Sequence, residues 1–286
     1  MGDSATQLLC TAIKGYGLEE NINIDIYEGP YNQINAELFN PNSELYKFSP
    51  DYILVFESHK KLIKEFYKSP LDERTTFAEK KFEIFKGYYT IARERLHAKL
   101  ICFNLCEVND GIFGSVAAKY NSSFLYQVRK LNSLLAGFAA NENTFQLADI
   151  LSIQNRFGLN ILTDQKIYIN SDMAVSIEAL PHIAKCIIDP IKAGYGLINK
   201  CIILDLDNTL WGGIIGDDGI NNIQIGELGI GKAFSEFQMW IKELKNRGVI
   251  ICIASKNTES LAKEPFENHE EMVLKLDDIS VFMANW

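Results

Sequence analysis

The segment Cys201-Ile-Ile-Leu-Asp-Leu-Asp-Asn-Thr209 decides how the second part of this chain folds. Its first four residues are continuously apolar, as a central parallel strand buried on both faces should be. The strand delivers Asp205 and Asp207 to its carboxyl end, where ligands bind in open α/β sheets. One residue between the two aspartates lets the strand end turn, so both carboxylates address one site. Two acidic groups on an apolar strand repel each other and resist desolvation unless a cation is present. Mg²⁺ meets that demand and also clamps a phosphate oxygen. Taken alone, the Asp-x-Asp pair reads at least as well as two aspartates capping a turn.

Val249-Ile-Ile-Cys-Ile-Ala254 is a second apolar strand, and it ends in Ser255-Lys256-Asn257, where a helix is expected to begin. A hydroxyl backed by helix N–H groups is an anion site, although Ser255 alone reads as a simple N-cap. Paired with the acidic strand end, it makes a phosphate cradle facing a carboxylate nucleophile. A carboxylate can attack phosphorus to give an aspartyl phosphate, which water then hydrolyses. Forty-seven residues separate Asp207 from Ser255. A loop and one helix use them up, leaving no room for a large cap domain. An open site favours a bulky or protein-tethered substrate.

Asp205-Leu-Asp-Asn-Thr-Leu-Trp-Gly-Gly213, Gly216-Asp-Asp-Gly219 and Ser255-Lys-Asn257 together resemble the haloacid dehalogenase superfamily. More narrowly they are similar to its capless FkbH-like branch, subfamily IIIC. Phe234-Ser-Glu-Phe-Gln238, Asn268-His-Glu-Glu-Met272 and Asn285-Trp286 resemble that branch too, so the likeness covers residues 198–286. It implies Asp205 as nucleophile and Mg²⁺ ligand, and Asp207 as general acid/base with its main-chain carbonyl on the metal. It implies Ser255, with Lys256 and Asn257, as the phosphate-binding segment, and Thr209, Gly212 and Gly213 as support for the loop. Known members act on a phosphorylated glycerate and can pass a glyceryl group to an acyl carrier protein. The superfamily also uses a lysine and a late acidic pair, which in this branch lie beyond the Asn-Trp. Asp277-Asp278 reads as an earlier acidic stretch in a connecting segment, and neither Lys256 nor Lys275 matches the lysine's position. The expectation is a truncated domain with an incomplete site.

Upstream, short apolar runs alternate with helical patterns, the signature of βαβ units around a parallel sheet. Candidate strands are 22–26, 52–56 and 99–104, and candidate helices are 5–15, 75–96 and 122–138. Phe77, Phe82, Phe85 and Tyr89 mark one apolar face, which reads as core. A helical pattern over 172–193 is expected to break or kink near Pro181 and Pro190, with a domain boundary near 197. Beyond it the pattern reads strand 201–205, helix 231–247, strand 249–254, a helix from about 257 and a possible strand at 272–276. The fold class is α/β: an SGNH- or flavodoxin-like unit over 1–197, then a partial, capless Rossmann-like haloacid dehalogenase unit over 198–286.

Gly2-Asp3-Ser4 before an amphipathic helix resembles the first block of SGNH hydrolases, and Val108-Asn109-Asp110-Gly111 their Asn-containing block. The same start fits the loose myristoylation pattern, but the hydrolase block is the better reading. Such hydrolases need a late Asp-x-x-His, and the residues three before His59, His97, His182 and His269 are Phe56, Glu94, Ala179 and Phe266. The N-terminal unit is therefore expected to be non-catalytic, closer to a docking module than to an esterase using Ser4.

A net charge of −9 argues against a nucleic-acid or anionic-membrane surface. The basic run His59-Lys60-Lys61 with Lys64 reads as a solvated helix face. No apolar run approaches membrane-spanning length, and no signal-peptide layout opens the chain. The six cysteines form no CxxC pair and read as buried, reduced thiols in a cytoplasmic protein. These readings converge on a Mg²⁺-dependent phosphatase, or a transferase through the same intermediate, acting on a phosphorylated small molecule or a carrier-bound group. A non-catalytic binding module is the competing reading, and an esterase the next.

Overall fold

The computed structural model describes residues 1–285, so Trp286 of the Asn285-Trp286 match lies outside the described residues. The chain divides into two compact units, one over Met1–Gly196 and one from Leu197 onward. Numbering the strands and the helices of ten or more residues, unit 1 contains α1 (Gln7–Glu19), β1 (Tyr52–Val55), α2 (His59–Lys68), α3 (Phe77–Glu94), β2 (Lys99–Phe103), α4 (Phe124–Asn141), β3 (Phe145–Ala148) and α5 (Leu180–Gly194). Unit 2 contains β4 (Cys201–Leu204), α6 (Gly231–Asn246), β5 (Ile250–Ser255), α7 (Glu259–Asn268) and β6 (Val281–Ala284). Each unit has a three-stranded parallel sheet, β1-β2-β3 in the first and β4-β5-β6 in the second.

In unit 1 both faces of the sheet are covered, as a parallel sheet requires. One core gathers Val55, Leu100 and Cys102 with the aromatic face of α3. The other gathers Ile101, Phe103 and Ala148 with α1 and α5. Tyr89 packs edge-on against Phe138 and Phe145, with ring centres 5.2 and 5.9 Å apart, so the aromatic stripe is core packing. Ser58 and Ser123 cap α2 and α4 by accepting the amides of Lys61 and Tyr126. A buried ion pair crosses this core, with Lys81 Nζ 2.8 Å from Glu57 and 2.9 Å from Glu65.

Several expectations are corrected. Ile22–Ile26 joins no sheet. The third strand of unit 1 is Phe145-Gln-Leu-Ala148, whose central Gln146 interrupts the apolar run that would have marked it. The helix expected from Asp172 begins only at Leu180, because Asp172 takes a left-handed φ of 54° and Pro181 sits in the first turn, where its missing N–H costs nothing. Pro190 lies inside α5. Residues 272–276 form no strand, since the amides of Val273 and Leu274 both donate to the Gln238 side chain. The third strand of unit 2 is β6, beyond a turn at Leu276–Asp278.

Among the described residues, the core of unit 2 lies on one face of its sheet. Ile251, Ile253 and Leu204 pack with Ile241 of α6 and Phe266 of α7. On the opposite face Ile203 is 68% and Met283 58% exposed. Cys201 is exposed there too, with its sulfur 3.6 Å from that of Cys252, so the expectation of uniformly buried thiols holds only for Cys102 and Cys106. His59 likewise departs from a solvated face: it is buried, and burial pushes its imidazole down to about 4. No helix of the described residues is long and apolar enough to cross a membrane.

Candidate active site

Parallel register sets Leu204 beside Ile253, so β4 and β5 release their carboxyl ends side by side. Asp205 leaves β4 exposed, with one carboxylate oxygen taking the adjacent Leu206 amide at 2.7 Å. Leu206 is buried and turns the chain, so Asp207 comes back to the same end half-buried. Its carboxylate takes three N–H groups. Oδ1 accepts the Trp211 indole at 3.1 Å and the Ile215 amide at 3.0 Å, and Oδ2 accepts the Asn257 side-chain amide at 2.8 Å.

The loop that holds this geometry is itself braced. Asn208 adopts a left-handed φ of 55°, its amide donates to Gly213 O at 3.3 Å, and its side chain accepts the Gly213 amide at 3.0 Å. Gly212 pairs with Gln224 through bonds of 2.9 and 2.7 Å, and a side chain at 212 would come within 2.8 Å of Gln224 and 2.9 Å of Phe234. Gly213 has a φ of 95°, a region costly for residues with a Cβ. Thr209 contributes its amide to Leu206 O at 3.0 Å. Gln238, fully buried on α6, donates to Leu210 O at 2.7 Å and accepts the Val273 and Leu274 amides.

The structure gathers Asp207, Asn257 and Ser255 into one hydrogen-bonded group, since Asn257 Nδ2 also donates to Ser255 Oγ at 3.2 Å. Asn257 is only 5% exposed and its amide is spent on those two partners. That side chain thus joins the second carboxylate to the hydroxyl at the end of β5. Ser255 closes β5, and α7 starts only at Glu259 with Thr258 as its cap residue, so Ser255 is not the helix N-cap. Lys256 is exposed between them. Asp277-Asp278 lies before β6, at the opposite end of the sheet. There Asp278 Oδ1 meets Lys245 at 2.8 Å and Oδ2 takes the Lys275 amide at 2.9 Å. Asn208, Trp211 and Gln238 support this geometry in addition to the residues expected from the sequence. The bulky indole within Asn-Thr-Leu-Trp and the Gln in a helix otherwise patterned for packing were the available signals.

In unit 1, Ser4 is 1% exposed and its hydroxyl has no hydrogen-bond partner. Asp3 receives the Ser58 amide on both oxygens, at 3.0 and 2.9 Å, and burial pushes its carboxyl up to about 6. Asn109 spends its side chain on Gly111 and Gly114 of its own loop. Among the described residues none gives the Ser4 hydroxyl a hydrogen bond.

The family model of the FkbH N-terminal domain matches residues 1–192. The chain belongs to the FkbH family. No curated protein sequence matches it. Among solved structures, this FkbH-family chain is similar to the N-terminal part of the protein BF1531 from Bacteroides fragilis, which contains a phosphatase domain and is complexed with Mg. The two are 46% identical with a TM-score of 0.94, over 100% of this chain and 75% of that one.

Proposed function

We propose that this FkbH-family chain carries a Mg²⁺-dependent phosphohydrolase site, or a transferase site using the same phosphoryl-enzyme intermediate, with Asp205 as nucleophile. One observation carries the reading: an exposed carboxylate at a strand's carboxyl end stands two residues from a second carboxylate fixed by three N–H donors. Likeness to a magnesium-complexed phosphatase domain supports it.

The donor set fits the metal. Mg²⁺ prefers hard oxygen ligands and takes one or two carboxylates plus substrate phosphate and water rather than an all-protein cage. Asp205 offers the exposed carboxylate. The main-chain carbonyl of Asp207 is the second candidate ligand, because its side chain is committed to N–H donors. When bound, Mg²⁺ offsets the repulsion between an anionic nucleophile and an anionic phosphate.

The residues then divide the chemistry. The Asp205 carboxylate attacks phosphorus, the phosphorus–oxygen bond to the leaving group breaks, and Asp207 supplies the proton that oxygen needs. Asp207 next takes a proton from water, which attacks phosphorus and releases phosphate and free Asp205. Ser255 accepts its hydrogen bond from Asn257, which leaves its own proton for a phosphate oxygen. A capless, open site suits a phosphorylated glycerate-type substrate or a group tethered to an acyl carrier protein. A non-catalytic module remains the second reading, favoured by Asp278 being held at the far end of the sheet, where it adds nothing to the acidic pair. The buried Ser4, whose hydroxyl has no hydrogen-bond partner among the described residues, supports a docking role for the N-terminal unit over that of an esterase.

Aryl phosphate turnover with Mg²⁺ tests the proposal. Asp205→Asn should abolish it, while Asp207→Asn should accumulate phosphorylated Asp205, visible by acid-quenched mass spectrometry. Retained turnover in Asp205→Asn sinks the reading.

A further inference from the structure

In unit 1 the short helix Gln165–Ser171 separates a basic ridge from an apolar cavity. Asp164 caps this helix by accepting the amides of Lys166 and Ile167 at 2.7 and 3.0 Å. The ridge comes from α2. Lys60 Nζ donates to Gln165 Oε1 at 3.0 Å, and Lys64 Nζ donates to the Tyr168 hydroxyl at 2.8 Å. Both ammonium groups stand within 5.6 Å of the centre of the Tyr168 ring, whose face attracts cations.

Among the described residues none of Lys60, Lys64 and Lys166 forms an ion pair. The acids close to them are committed elsewhere: Asp164 to the amides it caps, and Asp172 to Lys61 and Tyr31. In a chain of net charge −9, three unmatched ammonium groups on and beside one short helix reverse the sign of the surface locally.

On the other side of the helix, Lys166 and Ile167 line a cavity of about 430 Å³, with Leu8, Met173 and Ile177 among its further walls. Leu8 and Ile177 are both exposed there, and among the described residues no Asp or Glu lines the cavity. A helix is about 10 Å across with its side chains, so ridge and cavity belong to one surface. An apolar pocket rimmed by charge is the layout of a protein interface, where one anchor side chain is buried and the rim fixes register. A small anion would match the ridge and leave the cavity wet. An uncharged apolar ligand would fill the cavity and leave the lysines unmatched. An anionic membrane would be repelled by the chain's net charge.

We propose that this surface docks an acidic amphipathic helix of a partner protein. One apolar side chain of that helix enters the cavity, and carboxylates along its flanks meet Lys60, Lys64 and Lys166. The inference rests on the docking role proposed for the N-terminal unit, and gives that role a face and a partner chemistry.

The test uses the whole chain and a fluorescent synthetic peptide with leucines at three- and four-residue spacing, glutamates on both flanks and alanines between. Saturable binding is expected by anisotropy, weakening as salt is raised. Lys60→Glu/Lys64→Glu should weaken it about tenfold or more, with an unchanged far-ultraviolet dichroism spectrum showing that the variant is folded. Glutamine for glutamate in the peptide leaves the protein untouched and should have the same effect, as should Ile177→Asp at the cavity. Binding is read without turnover, so failure of the phosphatase reading and failure of this one are separate results. No saturable binding, or equal binding by the double variant or by the glutamine peptide, would overturn the proposal. Full displacement of the peptide by glycerol phosphate at constant ionic strength would overturn it in favour of a small anion. Displacement by phosphatidylserine vesicles would do so in favour of a membrane.

Discussion

Replacing Asn257 with alanine separates two roles that the residue types alone leave open. If Asn257 touched phosphate, its loss would weaken substrate binding. In the structure its amide is 2.8 Å from Asp207 Oδ2 and 3.2 Å from Ser255 Oγ. Asn257→Ala leaves the Asp207 carboxylate with two of its three N–H donors and free to rotate. A hydrogen bond to a charged group contributes about 1.5–3 kcal/mol. If that energy orients Asp207 in the transition state, kcat should fall by roughly 10- to 150-fold, at about 1.4 kcal/mol per decade. KM should change little, since the ground-state contact to phosphate is not the one removed. The assay is steady-state hydrolysis of an aryl phosphate at saturating Mg²⁺, with leaving groups of differing pKa. The loss should grow as the leaving group becomes poorer, because such groups need the proton more. An unchanged kcat with a raised KM would refute the positioning role.

Gln238→Leu removes three buried bonds and strands the Leu210 carbonyl, so unit 2 should lose about 2–5 kcal/mol, read by urea unfolding; a loss under about 0.5 kcal/mol would contradict the account. Lys81→Met leaves Glu57 buried without its partner and should cost about 3–5 kcal/mol, with much of it recovered in the Lys81→Met/Glu57→Gln double variant. Burial pushes the Asp278 carboxyl up, but Lys245, the Lys275 amide and Lys242 outweigh it and hold it below the ordinary range. A carboxyl lowered on folding stabilises above its unfolded value of about 3.9 and loses that contribution as pH falls through the lower folded value. The stability gap between the parent and Asp278→Asn should therefore be full near neutrality and close within that acid window, and a gap independent of pH would count against it.

The sequence exposed the parts of this molecule that depend on continuous apolarity. β1, β2, β4 and β5 are runs such as Tyr-Ile-Leu-Val and Cys-Ile-Ile-Leu, and each stands where its run places it. Phe145-Gln-Leu-Ala148 escaped because one polar residue in four breaks the run, and β6 because four residues near the end give no period to read. Ile22–Ile26 failed in the opposite direction. Its alternation is that of a strand, but it pairs with no strand of the sheet. At the site, Asp205 and Asp207 were legible from their place at a strand end. The partners of Asp207 were not, because Trp211, Ile215 and Asn257 lie 4, 8 and 50 residues away and meet only once the loop has folded.

Trp211 is fully buried, and its indole N–H rests on the same oxygen of Asp207 that takes the Ile215 amide. The chain thus holds a chromophore in contact with the group proposed to shuttle protons, while Trp240 stands half in water on α6. Emission from a dry indole lies to the blue of emission from a wet one, so Trp211 and Trp240 report from different environments. A phosphate mimic that moves Asp207 becomes an optical signal without any label attached. That gives a way to watch the carboxylate directly, with no turnover required.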